Sequence, residues 1–527
     1  MKKSRLIETL RASFLLPLLA LLCTGSWAAR DFTPQAGTWV ISEELDGKPG
    51  RGLAIDVQGN TFFMQMFGYE KNGNATFYTA TGQMDGNSVT TPLMQYQGGR
   101  SFGSDARDAE FLGSPGPVTV SFVNGLQGTV QLPGEPEREI KRFEVMSPDY
   151  TKTYLEYGML RSLLINTLDT KKEPQWLATA QIVKSFSEGW ILGFGSFLSN
   201  YPFQWLTCQQ IKDKDEYRCL SDKTPPAGYE DPYVLSARLR IVNVDAVGEV
   251  EVFYQGVLQK LPFVGVVAAG NPFPNEGSCD RSLDLYVGDV DYCFFSISPV
   301  SGTWIVKDEV NYKPGRGIAL DVQAGMAVAQ IFNYLPDGTP TFHMGSGTYA
   351  GAATSFELNR YRGGRALGGP LKSAKLAEAA GEIKLEFMYD GEGNTAARRP
   401  SRLTGDVQFP GEAPKQIVRM ALEPGAETAE GLLGQWWLHF IGMSNWLKPT
   451  PVTLSRIEGN EAINQDGTIR CSRQIPHVPR RAQCIWNRDG QTYTAYFNQQ
   501  QGDRSFTILQ VRDRYGNLMG LGDIPLE

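Results

Sequence analysis

The sequence predicts a mainly β protein, in which tandem antiparallel meander modules, each a β-barrel or a sandwich, form an A-B-A-B duplication. Three observations support this: an internal repeat, short stretches in which apolar and polar residues alternate, and Gly-rich turns between those stretches. Helical patterns are scarce, and the best helical candidate is residues 154–168. We therefore expect a chain of small β modules rather than one large core.

The internal repeat joins two stretches of closely similar sequence at a constant offset. The Gly-Thr-Trp of residues 37–39 recurs at 302–304, and the Asp-Val-Gln of 56–58 recurs at 321–323, both at an offset of 265 (302 − 37 and 321 − 56). The register slips only later, because the second copy carries additional residues around 390–402. These are rich in Gly, Arg and Pro, which predicts a lengthened hairpin loop.

Each strongly similar module, called A, is followed by a more weakly similar one, called B. Trp-Leu at 176–177 and at 446–447 precedes an apolar stretch in each B module, and a pair of closely spaced cysteines follows. The predicted organisation is a signal peptide at 1–28, A1 at 29–145, B1 at 146–297, A2 at 298–422 and B2 at 423–527.

Within A1, residues alternate between apolar and polar with the period of a β-strand. Closely spaced short strands joined by Gly-rich turns are typical of a meander that closes into a small barrel or sandwich. The predicted strands are residues 53–58, 62–69, 76–80, 118–123, 129–132 and 139–143.

The first residues have the order of a secretory signal peptide: basic side chains, an apolar stretch at 14–22, and small residues before Ala28. We expect cleavage near Ala28 and a periplasmic or secreted protein. A lipid anchor at Cys23 is the less favoured alternative, because Leu22 stands where lipoprotein signals carry Gly, Ala or Ser.

Six cysteines remain after the signal and fall into three closely spaced pairs, which in an exported chain predict disulfides. A zinc site would need CxxC spacing or clustered histidines, and the sequence has neither. The predicted disulfides are Cys208–Cys219 and Cys279–Cys293 in B1, and Cys471–Cys484 in B2.

The formal net charge is −7, and the signal contributes +3, so the mature chain is near −10. An acidic chain without a basic block is a poor nucleic-acid binder. No later apolar stretch reaches the roughly 20 residues that a transmembrane helix requires. We expect no nucleic acid, transmembrane segment, cofactor or metal; the expected partner is a small ligand, a glycan or an envelope protein.

The A module resembles a repeat of secreted bacterial proteins of unknown function, which follows the pattern G-x-W, G-x-G, F-x-Y. The matching residues are Gly37-Thr38-Trp39, Gly50-Arg51-Gly52, Gln58, Phe67-Gly68-Tyr69, Asn72-Gly73 and Phe77-Tyr78. A departure is Lys48-Pro49, where the family often has an acidic residue and Ser. This resemblance implies a fold more than a function. The G-x-W also resembles the first strand of lipocalin and avidin barrels, which bind small apolar ligands.

One face of the A module is polar and identical in both copies, which suggests specific hydrogen bonds, whereas its apolar face changes by conservative swaps. A surface of amide, carboxylate and aromatic groups suits a small polar ligand such as a sugar. The alternative is structural, with Asp56 paired to Arg51 and Tyr69 closing a barrel corner. The candidate ligand-binding residues on this face are Asp56, Gln58, Gln65 and Tyr69, and their counterparts Asp321, Gln323, Gln330 and Tyr334.

Two further candidates, Arg100 and Arg365, each follow a pair of glycines. The conformational freedom of glycine would let such a turn direct the guanidinium outward, where it could clamp a carboxylate or phosphate. A solvated turn residue is the alternative. Trp39 and Trp304 are expected to plug the module cores.

The sequence favours a non-enzymatic protein over an enzyme. The chain has 3 histidines, none with a counterpart in the other copy, and no HExxH, GxSxG or P-loop motif. One alternative is a glycan-active hydrolase that uses the acid pairs Glu44 with Asp56 and Glu309 with Asp321. Another is a structural subunit of an envelope assembly.

Overall fold

The computed structural model describes much of the chain after the predicted signal peptide. The described residues are 28–145, 161–168, 174–184, 190–195, 204–211, 216–225, 233–242, 245–254, 256–267, 285–286, 291–292, 299–311, 313–323, 325–349, 352–389, 399–400, 403–438, 450–473, 481–498 and 508–521. The predicted signal peptide, apart from Ala28, and the predicted Cys279–Cys293 disulfide lie outside them. Among these residues, no helix is both long and apolar enough to cross a membrane.

The A1 module is a closed antiparallel barrel of eight strands in sequence order. Its strands are β1 (Gly37–Ile41), β2 (Gly52–Gln58), β3 (Thr61–Tyr69), β4 (Ala75–Gln83), β5 (Ser88–Gln97), β6 (Glu110–Phe122), β7 (Gln127–Gln131) and β8 (Glu137–Arg142). The barrel closes where β1 pairs with β8.

Alternation along β2 separates the barrel interior from its outer surface. Leu53, Ile55 and Val57 point into a continuous cluster of buried side chains, as the period-two pattern predicts. Trp39 belongs to that cluster with 0% exposure, and its indole N–H donates to the Gln35 carbonyl at 3.0 Å. The interior of A1 is therefore a packed core.

The B1 module also forms a closed eight-stranded barrel. Its strands are β9 (Arg161–Leu168), β10 (Pro174–Lys184), β11 (Trp190–Gly195), β12 (Gln204–Gln210), β13 (Glu216–Ser221), β14 (Tyr233–Val242), β15 (Asp245–Tyr254) and β16 (Val257–Val267). A short pair, β17 (Leu285–Tyr286) with β18 (Asp291–Tyr292), follows.

The helix predicted at 154–168 is wrong over residues 161–168, which form β9, while 154–160 lie outside the described residues. Strand β9 pairs with β10 on one side and with β16 on the other, so it closes the barrel. The hydrogen bonds from both neighbours override the local helical pattern.

The A2 module repeats the closed barrel of A1. Its strands are β19 (Gly302–Val306), β20 (Gly317–Gln323), β21 (Met326–Tyr334), β22 (Pro340–Thr348), β23 (Ala353–Arg362), β24 (Lys375–Glu386), β27 (Thr404–Gln408) and β28 (Lys415–Arg419). A two-stranded ribbon of β25 (Met388–Tyr389) and β26 (Arg399–Pro400) borders residues 390–398 of the predicted longer loop, which lie outside the described residues.

The described part of B2 is a seven-stranded antiparallel sheet. Its strands are β29 (Gly434–Leu438), β30 (Thr450–Glu458), β31 (Glu461–Asn464), β32 (Ile469–Ser472), β33 (Arg481–Arg488), β34 (Gln491–Asn498) and β35 (Ile508–Asp513). The prediction of a mainly β chain of tandem barrel or sandwich modules is thus confirmed.

Two of the three predicted disulfides are present, Cys208–Cys219 and Cys471–Cys484. Each joins directly opposed residues on neighbouring strands, β12 with β13 and β32 with β33. These are the third and fourth strands counted from β10 and from β30, so the two B modules share the position. Both disulfides are buried, and both are compatible with an oxidising compartment.

Residues 30–35 form a strap that ties A1 to both B modules. The Arg30 side chain donates to the Gly59 carbonyl of A1 at 2.5 Å, and its backbone N–H donates to Asn517 of B2 at 2.8 Å. The Gln35 side chain donates to the Val242 carbonyl of B1 at 3.0 Å. The start of the described chain therefore links three modules.

Candidate functional site: the duplicated face of the A modules

The polar face shared by A1 and A2 lies where the two barrels pack against each other. A buried cluster of aromatic and alanine side chains from both modules forms its apolar centre. Phe67 of A1 contacts Phe342 of A2 at 5.3 Å between ring centroids, and Phe77 contacts Phe332 at 5.6 Å. Because Phe67 corresponds to Phe332 and Phe77 to Phe342, the aromatic contacts are reciprocal.

Each copy of the predicted aspartate binds an arginine of the other module. The Arg419 guanidinium donates to both carboxylate oxygens of Asp56, with Nη1–Oδ2 2.6 Å and Nη2–Oδ1 2.7 Å. The backbone N–H of Thr303 also donates to Asp56, at 3.0 Å. In the equivalent contacts of the other copy, Asp321 binds Arg142 at 2.6 and 2.7 Å and accepts from the Thr38 N–H at 2.8 Å.

The two glutamines at the ends of β2 and β20 hold the segment that leaves the other barrel. The Gln58 amide donates to the Met420 carbonyl at 2.9 Å and accepts from the Leu422 N–H at 3.0 Å. Gln323 does the same with the Phe143 carbonyl at 2.8 Å and the Val145 N–H at 3.0 Å. Each glutamine side chain thus makes the two hydrogen bonds that the backbone of a neighbouring strand would make with this segment.

Gln65 and Gln330 lie deeper in the same interface. The Gln330 amide donates to the Thr38 hydroxyl of A1 at 2.9 Å, and Gln65 is packed against Gly317 of A2. The Oε1 atoms of both glutamines are buried and accept no hydrogen bond from any of the described residues. A buried water is the usual partner for such an atom.

The ring of each tyrosine packs against glycine backbone of the opposite module. A Cβ on Gly364 would lie 2.1 Å from a ring carbon of Tyr69, and a Cβ on Gly99 would lie 2.1 Å from a ring carbon of Tyr334. Burial raises the pKa of both phenols. The second glycine of each pair, which we expected to direct the following arginine outward, therefore also leaves space for a tyrosine ring.

Arg100 and Arg365 clamp carboxylates, as their position after a double glycine suggested, but those carboxylates belong to the other A module. Arg365 binds Glu44 at 2.8 Å, and Arg100 binds Glu309 at 2.9 Å. Arg51 binds Glu44 and Glu135, so the suggested pairing of Arg51 with Asp56 is wrong.

In A2, Glu309 and Glu412 form a cluster of ion pairs with Arg316 and Lys415, and these contacts keep the two carboxyls ionised. Burial alone would raise the pKa of Glu412, but hydrogen bonds from Arg316, the Gly103 N–H and Lys415 lower it to about 2. For Glu309 the same competition between burial and the Arg316 and Lys415 hydrogen bonds also lowers the pKa. These carboxyls are charged and bound at neutral pH.

The loops between β5 and β6 and between β23 and β24 form two arms that each reach the other barrel. Phe102 of the A1 arm stacks at 5.6 Å on Phe409 and lies 4.9 Å from His343, against the A2 core. Leu367 of the A2 arm packs against the A1 core in the same way. Sequence reasoning missed these apolar anchors, although both follow the duplicated Gly-Gly-Arg by two residues.

The contacts together obey a pseudo-twofold relationship, in which residue i of A1 meets residue j of A2 and the counterparts meet in reverse. That is the pattern of an isologous dimer interface, here within one chain. All ten predicted ligand-binding residues lie in this interface or in its arms. Binding of an external ligand by them stays a prediction. Arg142 and Arg419 were missed because they follow the shift in register, at an offset of 277 (419 − 142).

The carboxylates considered for hydrolysis are bound by arginine side chains. Glu44 binds Arg51 and Arg365, whereas Asp56 binds Arg419 on a different part of the face. The Nδ1 of His343 lies 3.0 Å from Asn333 Oδ1, to which it donates when it carries the ring proton, and burial lowers the pKa of His343 to about 4. Among the described residues, no cluster of three or more metal-ligating side chains occurs.

A separate concavity of about 480 Å³ lies on the outer wall of B1. Arg218 and Arg238 stand directly opposite each other on β13 and β14. Glu249 and Lys260 of the neighbouring strands form an ion pair at 2.7 Å. Both polar and apolar side chains line this concavity, among them Arg218 and Leu220.

Comparison with known proteins returned no match: no family model, no curated protein and no solved structure is detectably similar to this chain.

Proposed function

We propose that this chain is a non-enzymatic exported protein that serves as a structural subunit of an envelope assembly, with the A1–A2 pair as its rigid centre. One observation carries the proposal: the duplicated charged side chains are bound in ion pairs between the two A modules. A ligand at this face would have to displace Arg142 and Arg419 from buried carboxylates, which is costly. The two buried disulfides of the B modules support export.

The rigidity of this centre follows from its chemistry. Bidentate arginine–carboxylate pairs fix orientation as well as distance, and the aromatic side chains of the same interface are buried. In such an arrangement A1 and A2 move as one body. Partner proteins then bind at the outer surfaces that the interface leaves exposed.

Native mass spectrometry of the mature protein, gently purified from its own host after in-cell cross-linking, tests this proposal. We expect a protein complex of defined stoichiometry and no small-molecule adduct on the chain. An adduct on the folded wild-type protein that is lost in folded Asp56→Ala with Asp321→Ala would contradict the proposal. It would establish the polar face as a ligand site instead.

The B1 concavity favours a second candidate function, the binding of a small polar ligand or glycan that carries an anionic group. Arg238 is bound by Glu216 at 2.5 Å and Arg218 stands directly opposite it, so an anionic group in the concavity would meet two neighbouring guanidinium groups. Calorimetry with glucuronate and with uncharged glucose tests this candidate. Binding of glucuronate that is lost in Arg218→Ala but kept in Arg456→Ala, an exposed arginine of B2, would support it.

A further inference from the structure

Each A module carries both halves of the contacts that join it to the other. A1 supplies Asp56 to Arg419 and Arg142 to Asp321, so one module contains both an acid and a guanidinium of the pair. An A1 face would therefore find the same complementary groups on a second A1 face. This self-complementarity is the defining property of an isologous interface.

The two arms are self-complementary in the same way. A1 offers Glu44 as an acceptor for an arm arginine and also carries Arg100 on its own arm. The backbone contacts are reciprocal as well, since Gly98 N–H donates to the Gly338 carbonyl and Gly363 N–H donates to the Gly73 carbonyl, both at 2.8 Å. Charge, apolar packing and backbone pairing thus all match between like modules.

We infer that the docking face of each A module is a self-recognition surface whose partner, outside the closed chain, is the A module of a second copy of this chain. Within one chain the pairing of A1 with A2 prevails, because the tether makes this pairing intramolecular and therefore independent of protein concentration. Pairing between chains takes over when the pairing within the chain is disfavoured. This goes beyond the proposed structural function, because it names a partner and the surface that binds it.

A charge reversal confined to A1 tests the inference on the full mature chain. In Asp56→Arg with Arg142→Asp, position 56 faces Arg419 and position 142 faces Asp321, so both contacts within the chain become repulsive. Between two such chains, A1 pairs with A1 through opposite charges at positions 56 and 142, and A2 pairs with A2 through Asp321 and Arg419. Light scattering after size exclusion should show one chain for the wild type and two or more for this variant.

The matched control reverses all four positions, by adding Asp321→Arg and Arg419→Asp. Opposite charges then face each other again within the chain, so this variant should return to a single-chain mass. A folded single-chain species for the A1 reversal would overturn the inference. Association of the four-position variant to the same extent would also overturn it, because the association would not depend on charge matching.

If the four-position variant does not fold, refolding of the wild-type chain tests the inference instead. It is transferred from denaturant to buffer with its disulfides intact, at increasing protein concentration. We expect a folded dimer whose fraction rises with concentration, since encounters between chains then compete with pairing within the chain. A product that is monomeric at every concentration contradicts the inference.

Discussion

Asp56 of the first barrel and Arg419 of the second form a bidentate ion pair, with both nitrogen–oxygen distances between 2.6 and 2.7 Å. The side chains are almost fully buried, at 1% exposure for Asp56 and 9% for Arg419. The equivalent ion pair in the other direction joins Asp321 of the second barrel to Arg142 of the first. A face that looked like a ligand site is thus used to join two copies of one module.

Gly99 should not tolerate a side chain, because the Tyr334 ring occupies the space. The Cβ of Gly99→Ala would lie 2.1 Å from a ring carbon, so we expect a loss of about 2 kcal/mol in unfolding free energy. Chemical denaturation measures it. The control is Gly50→Ala, where, apart from the two chain neighbours, no atom of the described residues lies within 4 Å of the new Cβ. Equal effects of the two substitutions would contradict the packing described.

Phe102 should stabilise the barrel that it reaches rather than the barrel that contains it. Phe102→Ala removes a partly buried ring from Phe409 and His343, which should cost about 2 kcal/mol. Hydrogen exchange should accelerate in β27 of A2 more than in the A1 strands. Phe111→Ala, an exposed position 56% accessible on the same hairpin, should change stability by less than about 0.5 kcal/mol.

His343 should make the protein sensitive to mild acid. Burial lowers its pKa from 6.5 to about 4 in the folded chain, so the unfolded chain takes up the proton first. Stability is therefore lost as pH falls from 6.5 towards 4, by up to about 3 kcal/mol. His343→Gln, which does not titrate, should remove this part of the pH dependence. Identical profiles for wild type and variant between pH 7 and 4 would exclude the effect.

The Cys279–Cys293 disulfide, which lies outside the described residues, remains a prediction. The intact mass under non-reducing conditions should show the loss of two hydrogen atoms for each of three disulfides. Peptide mapping should recover 279 linked to 293, beside the two observed pairs. A free thiol at either position would contradict the prediction.

The sequence predicted the fold well wherever local patterns decide it. Alternation placed Leu53 and Val57 inside the barrel and Asp56 outside, and cysteine spacing identified two cross-strand disulfides. The helix predicted across β9 failed because barrel closure depends on pairing with β16, which lies far along the chain. Local periodicity carries no information about such distant pairing.

The site was recognised as a set of residues, but not as a contact between copies. Identical polar residues in a repeat are expected both for two equal ligand sites and for one face that pairs with itself. The distinguishing residues, Arg142 and Arg419, lie after the change in register, where the repeat is hard to align. Their roles became evident only from distances between residues more than 170 positions apart.

The most direct test of the central claim is a double-mutant cycle on Asp56 and Arg419, measured by chemical denaturation. Each single alanine substitution leaves a buried charge unpaired and should cost about 3 to 5 kcal/mol, whereas the double substitution should cost less than their sum. The exposed Glu249–Lys260 pair provides the control, with a coupling below about 1 kcal/mol. A coupling of several kcal/mol for Asp56 and Arg419 would establish the interface. Additive effects would show that the two barrels do not dock through this face.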